Sequence, residues 1–148
     1  MPAFITFGRI LFAVLFVVSG ASKLLDLAAT AQMTEKIVLP SALSTYTSQL
    51  ETMTGMAMPQ IMAIAAGALE MICGLMIALN FGARFFAFLL ILFVAAATFY
   101  FHDFWNQTGA EARNSMVHAL KNLSLIGALF MVAGYGRPAP AHEPAYDV

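Results

Sequence analysis

Four long apolar stretches dominate the chain and are separated by polar segments. They run over residues 5–25, 60–81, 83–101 and 115–135. Each is about 20 residues long, and a helix that rises about 1.5 Å per residue then crosses the roughly 30 Å hydrocarbon core of a bilayer. A segment in lipid must satisfy its backbone hydrogen bonds internally, so each stretch is expected to be α-helical. The pattern predicts an all-α, membrane-embedded four-helix bundle with up-and-down threading.

Two of the connections between these spans are short. Residues 80–83 leave room only for a tight turn, and Gly82 is predicted to be the residue that follows the helix end. Residues 103–114 form a polar connection between the third and fourth spans, with Trp105 at the interface of lipid and water. Of the pairs of spans, the first and second are expected to be adjacent and antiparallel.

The first connection, residues 26–59, is the longest and is predicted to be a surface loop. Part of it, over residues 28–37, is expected to form a short helix at the membrane surface, which Pro40 ends. The four spans and this loop form one predicted domain over residues 1–136. A Pro- and Ala-rich tail over residues 137–148 is expected to be extended.

The composition agrees with lipid as the solvent for much of the surface. Hydrophobic residues make up 61% of the 148 positions and charged residues 10%, against about 45–50% and about 25% in soluble domains. The net charge is -1 and no basic cluster occurs, which argues against a nucleic-acid partner. Cys73 is expected to be a small core residue. The first span is not expected to be a cleaved signal peptide, because Arg9 interrupts it.

Ionisable side chains inside the spans are candidates for function, because a charge at mid-bilayer costs about 2.5–3.5 kcal/mol on insertion scales. Arg9 shares one face of the first span with Lys23, and Glu70 shares a face of the second span with Gly67 and Gly74. Glu70 must face the bundle interior, so an intramembrane ion pair between Arg9 and Glu70 is predicted. The pair could fix the helix register, or it could carry a proton or hold a ligand.

A second group of polar residues lies where the spans end. Up-and-down threading brings the end of span one, the end of span three and the start of span four to the same membrane surface. A polar pocket is predicted there from Lys23, His102, Asp103, His118, Lys121 and Asn122. The two histidines could be hydrogen-bonded interfacial residues or ligands, but two histidines are not a haem motif, so haem is disfavoured and no metal site is predicted. Lys121 and Asn122 could also cap or snorkel at the interface.

The polar residues fall in short motifs that recur in one family. The motifs are Gly8-Arg9-Ile10-Leu11, Ser19-Gly20-x-x-Lys23, Gly67-x-x-Glu70 with Gly74, Ala97-Thr98-Phe99-x-Phe101-His102-Asp103-Phe104-Trp105, and His118-x-x-Lys121-Asn122. In order and spacing they resemble the DoxX family along about residues 5–135. The resemblance implies a multi-pass protein of the bacterial or archaeal inner membrane. The family is named for a small subunit that accompanies a terminal quinol oxidase, and most members have no assigned reaction.

Three functions follow from the pattern and the resemblance. The first is an accessory, structural subunit of a redox or quinone-linked membrane complex, with the lipid bilayer and other membrane subunits as partners. The second is a quinone-interacting oxidoreductase component, in which His102, His118 and Lys121 donate hydrogen bonds to a quinone and Tyr100 and Phe104 line its slot. The third is a small-solute or ion pathway, which four spans could form only as an oligomer. Quinone is the one cofactor considered compatible, and no catalytic residue is assigned.

Overall fold

The computed structural model describes residues 2–135, with side chains from residue 3 onward. Six α-helices occur in this part of the chain: α1 (Pro2–Leu25), α2 (Leu27–Thr34), α3 (Ser44–Thr54), α4 (Met58–Ala78), α5 (Ala83–Phe101) and α6 (Gly109–Gly134). Short 3-10 turns cover Ser41–Leu43 and Phe104–Asn106. The tail predicted over residues 137–148 lies outside the described residues.

The helices α1, α4, α5 and α6 are each long and apolar enough to cross a membrane, which confirms the predicted four-span helical architecture. Four successive crossings place the start of α1, the turn between α4 and α5, and the end of α6 on one side, here called the terminal side. The opposite side, which carries α2, α3 and the connection between α5 and α6, is called the loop side. The helix α6 begins at Gly109 rather than at residue 115, and Glu111 in its first turn suits the positive end of the helix dipole.

The turn between α4 and α5 corrects one prediction. Asn80, not Gly82, follows the end of α4 in the left-handed conformation, with φ of 57°. The Phe81 amide donates to the Met76 carbonyl at 3.0 Å and the Asn80 amide to the Ile77 carbonyl at 3.1 Å, which is a Schellman cap. Asparagine tolerates this conformation better than most residues. Gly82, with φ of 56°, instead precedes α5.

The first connection contains two helices rather than one. The helix α2 packs against α4: the Asp26 carboxylate accepts from the Ala29 amide at 3.1 Å, and the Thr34 hydroxyl donates to the Pro59 carbonyl at 2.8 Å. It ends at Thr34, before residue 37, and Pro40 precedes a 3-10 turn instead of ending a helix. The helix α3 was not predicted, because its many Ser and Thr residues are weak helix formers.

The closest approach in the bundle is between α1 and α4 at Gly20 and Gly67. A Cβ atom on Gly20 would lie 2.5 Å from the Gly67 carbonyl oxygen and 2.6 Å from the Met71 amide nitrogen. Farther toward the terminal side, Gly74 lies against Phe16 and Val17 in the same way. Small residues allow two membrane helices to pack backbone to backbone, so these contacts fix the antiparallel register of α1 and α4.

The core lies toward the terminal side of this crossing. Its buried members come from all four spans: Ala13, Phe16, Cys73, Ile77, Ala87, Leu90, Ile91, Val94 and Leu129. Within residues 2–135, α1 packs closely on α4, α4 on α5, and α5 on α6. The helices α1 and α6 are separated by a groove, so the ring of four helices is open on one side.

Replacing Gly20 by Ala is expected to destabilise the protein by about 1–3 kcal/mol, the usual cost of overpacking, because the new methyl group has no space against the α4 backbone. Denaturant titration of the protein in detergent measures the change in the free energy of unfolding. Gly127→Ala is the matched control, since a Cβ there meets no heavy atom within 4 Å, and its stability should be unchanged or slightly higher. Equal effects of the two substitutions would contradict the Gly20–Gly67 contact as the determinant of packing.

Candidate functional site

A buried carboxylate in α4 forms the centre of the intramembrane polar site. One oxygen of Glu70, Oε2, accepts a hydrogen bond from Lys23 Nζ at 2.7 Å and another from the Ser19 hydroxyl at 2.9 Å. Lys23 Nζ also donates to Ser19 Oγ at 2.7 Å. The Glu70 side chain is 8% exposed and that of Lys23 is 25% exposed. The three groups therefore form a closed set of hydrogen bonds between α1 and α4, called here the Glu70 triad.

The predicted partner of Glu70 was wrong, because Glu70 pairs with Lys23 and not with Arg9. The contact of Gly20 with Gly67 sets Ser19 and Lys23 level with Glu70. Arg9 lies ten residues before Ser19, about 15 Å away along the helix at about 1.5 Å per residue, which is farther than its side chain can span. Arg9 and Lys23 share one helical face, so the pattern of faces gave no means of choosing between them.

The triad is also attached to the first connection of the chain. The Thr30 hydroxyl of α2 lies within hydrogen-bond distance of the Lys23 carbonyl, at 3.2 Å, and of the Asp26 carbonyl, at 2.9 Å. Ser19 was not among the predicted site residues, although it lies one helical turn before Lys23 and inside the same quoted motif. Its position four residues from a lysine on a buried face is the signal that could have found it.

The two histidines meet at the loop side. The rings of His102, at the end of α5, and His118, on α6, stack with centroids 4.9 Å apart and planes 10° apart. One turn deeper, Asn122 Nδ2 donates to Thr98 Oγ1 at 2.9 Å. Thr98, another residue missing from the predicted site, in turn donates to the Val94 carbonyl at 2.6 Å. These contacts join α5 to α6 as the Glu70 triad joins α1 to α4.

The remaining predicted pocket residues lie apart from the histidines. The Asp103 carboxylate accepts from Gln107 Nε2 at 2.8 Å and from Asn106 Nδ2 at 3.4 Å, so it holds the connection between α5 and α6. Lys121 is exposed on α6 and makes no hydrogen bond or ion pair within residues 3–135. Within residues 3–135 the six predicted residues therefore fall into separate groups of contacts rather than into a single hydrogen-bonded cluster.

A groove between α5 and α6 is a candidate site for an apolar ligand. It has a volume of about 300 Å³ and is lined by Ala95, Thr98 and Phe104 together with apolar residues of α6. Its size and its single hydroxyl suit the ring or tail of an apolar molecule better than a charged substrate. In the part of the chain that the structure describes, no group of three or more His, Cys, Asp or Glu side chains could hold a metal ion.

Comparison with known proteins identifies the family. Residues 4–103 match the DoxX family, which is more than half of the chain. The chain belongs to the DoxX family. This DoxX protein is also similar to the inner membrane protein YphA of Escherichia coli (strain K12), with 26% identity over 132 residues, 89% of this chain and 82% of that relative. No solved structure matches it.

The family match and the four spans together identify this DoxX protein as a multi-pass protein of the inner membrane. The matched region covers α1 to α5 and ends at Asp103, so it includes Arg9, Lys23 and Glu70. The helix α6, with His118 and Lys121, lies after the matched region and packs against α5.

Removing the amine of the Glu70 triad is expected to cost about 3–5 kcal/mol of stability, because Lys23→Met leaves a carboxylate buried without its cation. The double substitution Lys23→Met with Glu70→Met should recover most of this loss, since no charge then remains buried. Denaturant unfolding in detergent gives both values, and Lys36→Met, at an exposed lysine outside the spans, is the control. A double variant no more stable than the single one would show that the triad is not primarily a structural ion pair.

Proposed function

We propose that this DoxX protein is a non-catalytic subunit of a redox or quinone-linked membrane complex. The observation that carries the proposal is the exposed cation on α6. Lys121 is exposed on α6, one helical turn deeper than His118, and has no acidic partner within residues 3–135. A charge that faces lipid inside a span is costly, so a carboxylate on another membrane subunit is the partner we infer.

The packing of α6 supports the same proposal. It is held mainly by α5 and, on its opposite face, exposes apolar side chains together with Ser124 and Gly127. A Cβ on Gly127 would meet nothing within 4 Å, so a helix of another subunit could approach α6 as closely as α4 approaches α1 at Gly20. The Glu70 triad, by contrast, is satisfied inside the chain and serves the register of α1 and α4.

The redox character of the complex rests on the family. The family is named for a small subunit that accompanies a terminal quinol oxidase, and that subunit role is extended here to this chain. The chemistry is assigned to the partner, and this chain is proposed to contribute position and stability to the assembly.

Purification from native membranes in a mild detergent tests this proposal. We expect the tagged protein to bring with it, in a fixed ratio, a membrane oxidoreductase that uses quinone. Lys121→Leu should reduce that ratio by about tenfold or more, the effect of losing one desolvated charge pair. Lys36→Leu, which removes an exposed lysine outside the spans, should leave it unchanged. Recovery of the wild-type protein without any membrane partner would refute the subunit proposal.

A second candidate function, a quinone site in the chain itself, is favoured by the histidine stack beside an apolar groove. The groove includes Thr98, one turn before His102, and Phe104, two residues after it. A quinone ring needs hydrogen-bond donors next to an apolar slot, and the stacked imidazoles are the donors proposed here. His102, His118 and Lys121 do not themselves line the groove, so the proposed quinone carbonyl would meet the histidine pair at the edge of the groove.

The substitution His118→Phe separates this candidate from the first. Phenylalanine keeps an aromatic ring against His102 but removes the hydrogen-bond donor, so quinone affinity should fall by up to about tenfold, the value of one hydrogen bond. Binding of a photoreactive quinone to the purified protein measures the affinity. Val117→Phe, next to His118 but outside the groove, is the control. Undiminished labelling of the His118 variant would exclude the histidine pair as a quinone site.

A further inference from the structure

Arg9 is a half-buried arginine whose guanidinium has no acceptor within residues 3–135. Its Nε atom is buried and has no hydrogen-bond partner within the described residues. Glu70, the carboxylate predicted to pair with Arg9, is paired with Lys23 instead. A guanidinium carries five N–H donors and cannot lose its charge inside a protein, and a buried donor without an acceptor costs free energy. An anionic acceptor from outside the described residues would satisfy both this donor and the charge of the guanidinium.

The surroundings of Arg9 define the shape of that acceptor. Arg9 lines the groove between α1 and α6, which has a volume of about 390 Å³. The other polar side chains of the groove are Asn80, from the turn between α4 and α5, and Tyr135, after the end of α6. The walls are apolar, with Phe12 from α1 and Met131 from α6. A ligand that fills the groove therefore has one anionic end and an apolar remainder.

The position of the groove relative to the bilayer shows where the ligand comes from. Asn80 and Tyr135 lie at helix ends on the terminal side, and Arg9 lies seven residues after Pro2, about 10 Å along α1 at about 1.5 Å per residue. Phe12 is one further turn toward the middle of the membrane. The charged end of the groove thus faces the headgroup region, and the apolar end faces the hydrocarbon. The groove opens to the outer surface of the bundle, because two of its lining residues, Ile5 and Met131, are 51% and 63% exposed.

We propose that this groove binds an anionic phospholipid. The phosphodiester accepts hydrogen bonds from the Arg9 guanidinium, whose planar fork matches two phosphate oxygens, and from the Asn80 amide and the Tyr135 hydroxyl. One acyl chain lies over Phe12 and Met131, between α1 and α6. The lipid supplies the negative charge that the described chain does not, and its chain closes the open side of the helix ring. Neutral quinones lack that charge, which is why a phospholipid is the occupant inferred here.

Native mass spectrometry of protein extracted in a mild detergent, with phosphatidylglycerol as the added lipid, tests the site. Wild-type protein is expected to retain phosphatidylglycerol in preference to phosphatidylcholine. Arg9→Gln should weaken that retention by about tenfold or more, the loss of a charge-assisted contact. Arg84→Gln, at an exposed arginine near the same membrane surface, controls for general attraction of cations to anionic lipid and should retain the lipid.

A second variant keeps the test decisive if Arg9→Gln does not fold. Gly8 lines the groove, and a Cβ there meets nothing within 4 Å, so Gly8→Leu should fill the groove without disturbing the helix and should displace the lipid while Arg9 remains. Gly127→Leu, at a glycine outside the groove with equally open space, is its control.

Three results would overturn the proposal. One is wild-type protein that retains no preference for phosphatidylglycerol. Another is equal retention by wild-type protein, Arg9→Gln and Gly8→Leu, or equal loss by Arg9→Gln and Arg84→Gln, which would reduce the effect to general electrostatics. The third is a groove filled by a helix of a second copy or another subunit, seen as a lipid-free oligomer that Gly8→Leu dissociates.

Discussion

The register between α1 and α4 is the constraint on which the polar arrangement depends. Gly20 and Gly67 bring the two backbones so close that no side chain fits between them, and this contact allows little axial sliding. It places Ser19 and Lys23 beside Glu70. Because the register is fixed, the Glu70 carboxylate is paired within the chain. The same register leaves Arg9 at the terminal side, out of reach of Glu70. One steric contact thus decides which of two cations is structural and which is available to a ligand.

Sequence periodicity predicted the four spans and the inward orientation of Glu70, because lipid requires long apolar helices and penalises misplaced charge. It could not predict axial register, since Arg9 and Lys23 lie on the same face and differ only in height. The nearest signal was the motif Ser19-Gly20-x-x-Lys23, whose glycine marks the level of closest approach. The turn residue Asn80 was missed because glycine is the commoner choice for a left-handed cap. The helix α3 was missed because its composition resembles a loop.

The polar side chains of the bundle fall into two groups. Between α1 and α4, and between α5 and α6 at Thr98 and Asn122, polar groups satisfy one another and hold helices together. On the outer surface of α6 and in the groove next to α1, Lys121 and Arg9 present positive charge without a partner among residues 3–135. The first group helps to hold the four helices together. The second group makes the surface of the bundle suited to anionic molecules in the plane of the membrane.

The separation of the Glu70 triad along the chain has a consequence for biosynthesis. Lys23 and Glu70 are 47 residues apart, so α1 leaves the ribosome and reaches the bilayer before α4 does. Lys23 lies near the end of its span and can keep its amine in surface water during that interval. Glu70 lies in the middle of α4 and has no such route to water. The order of synthesis therefore suits insertion. The helix α1, whose lysine can reach surface water, is in place first, and it can then pair with the carboxylate of α4, which cannot reach water.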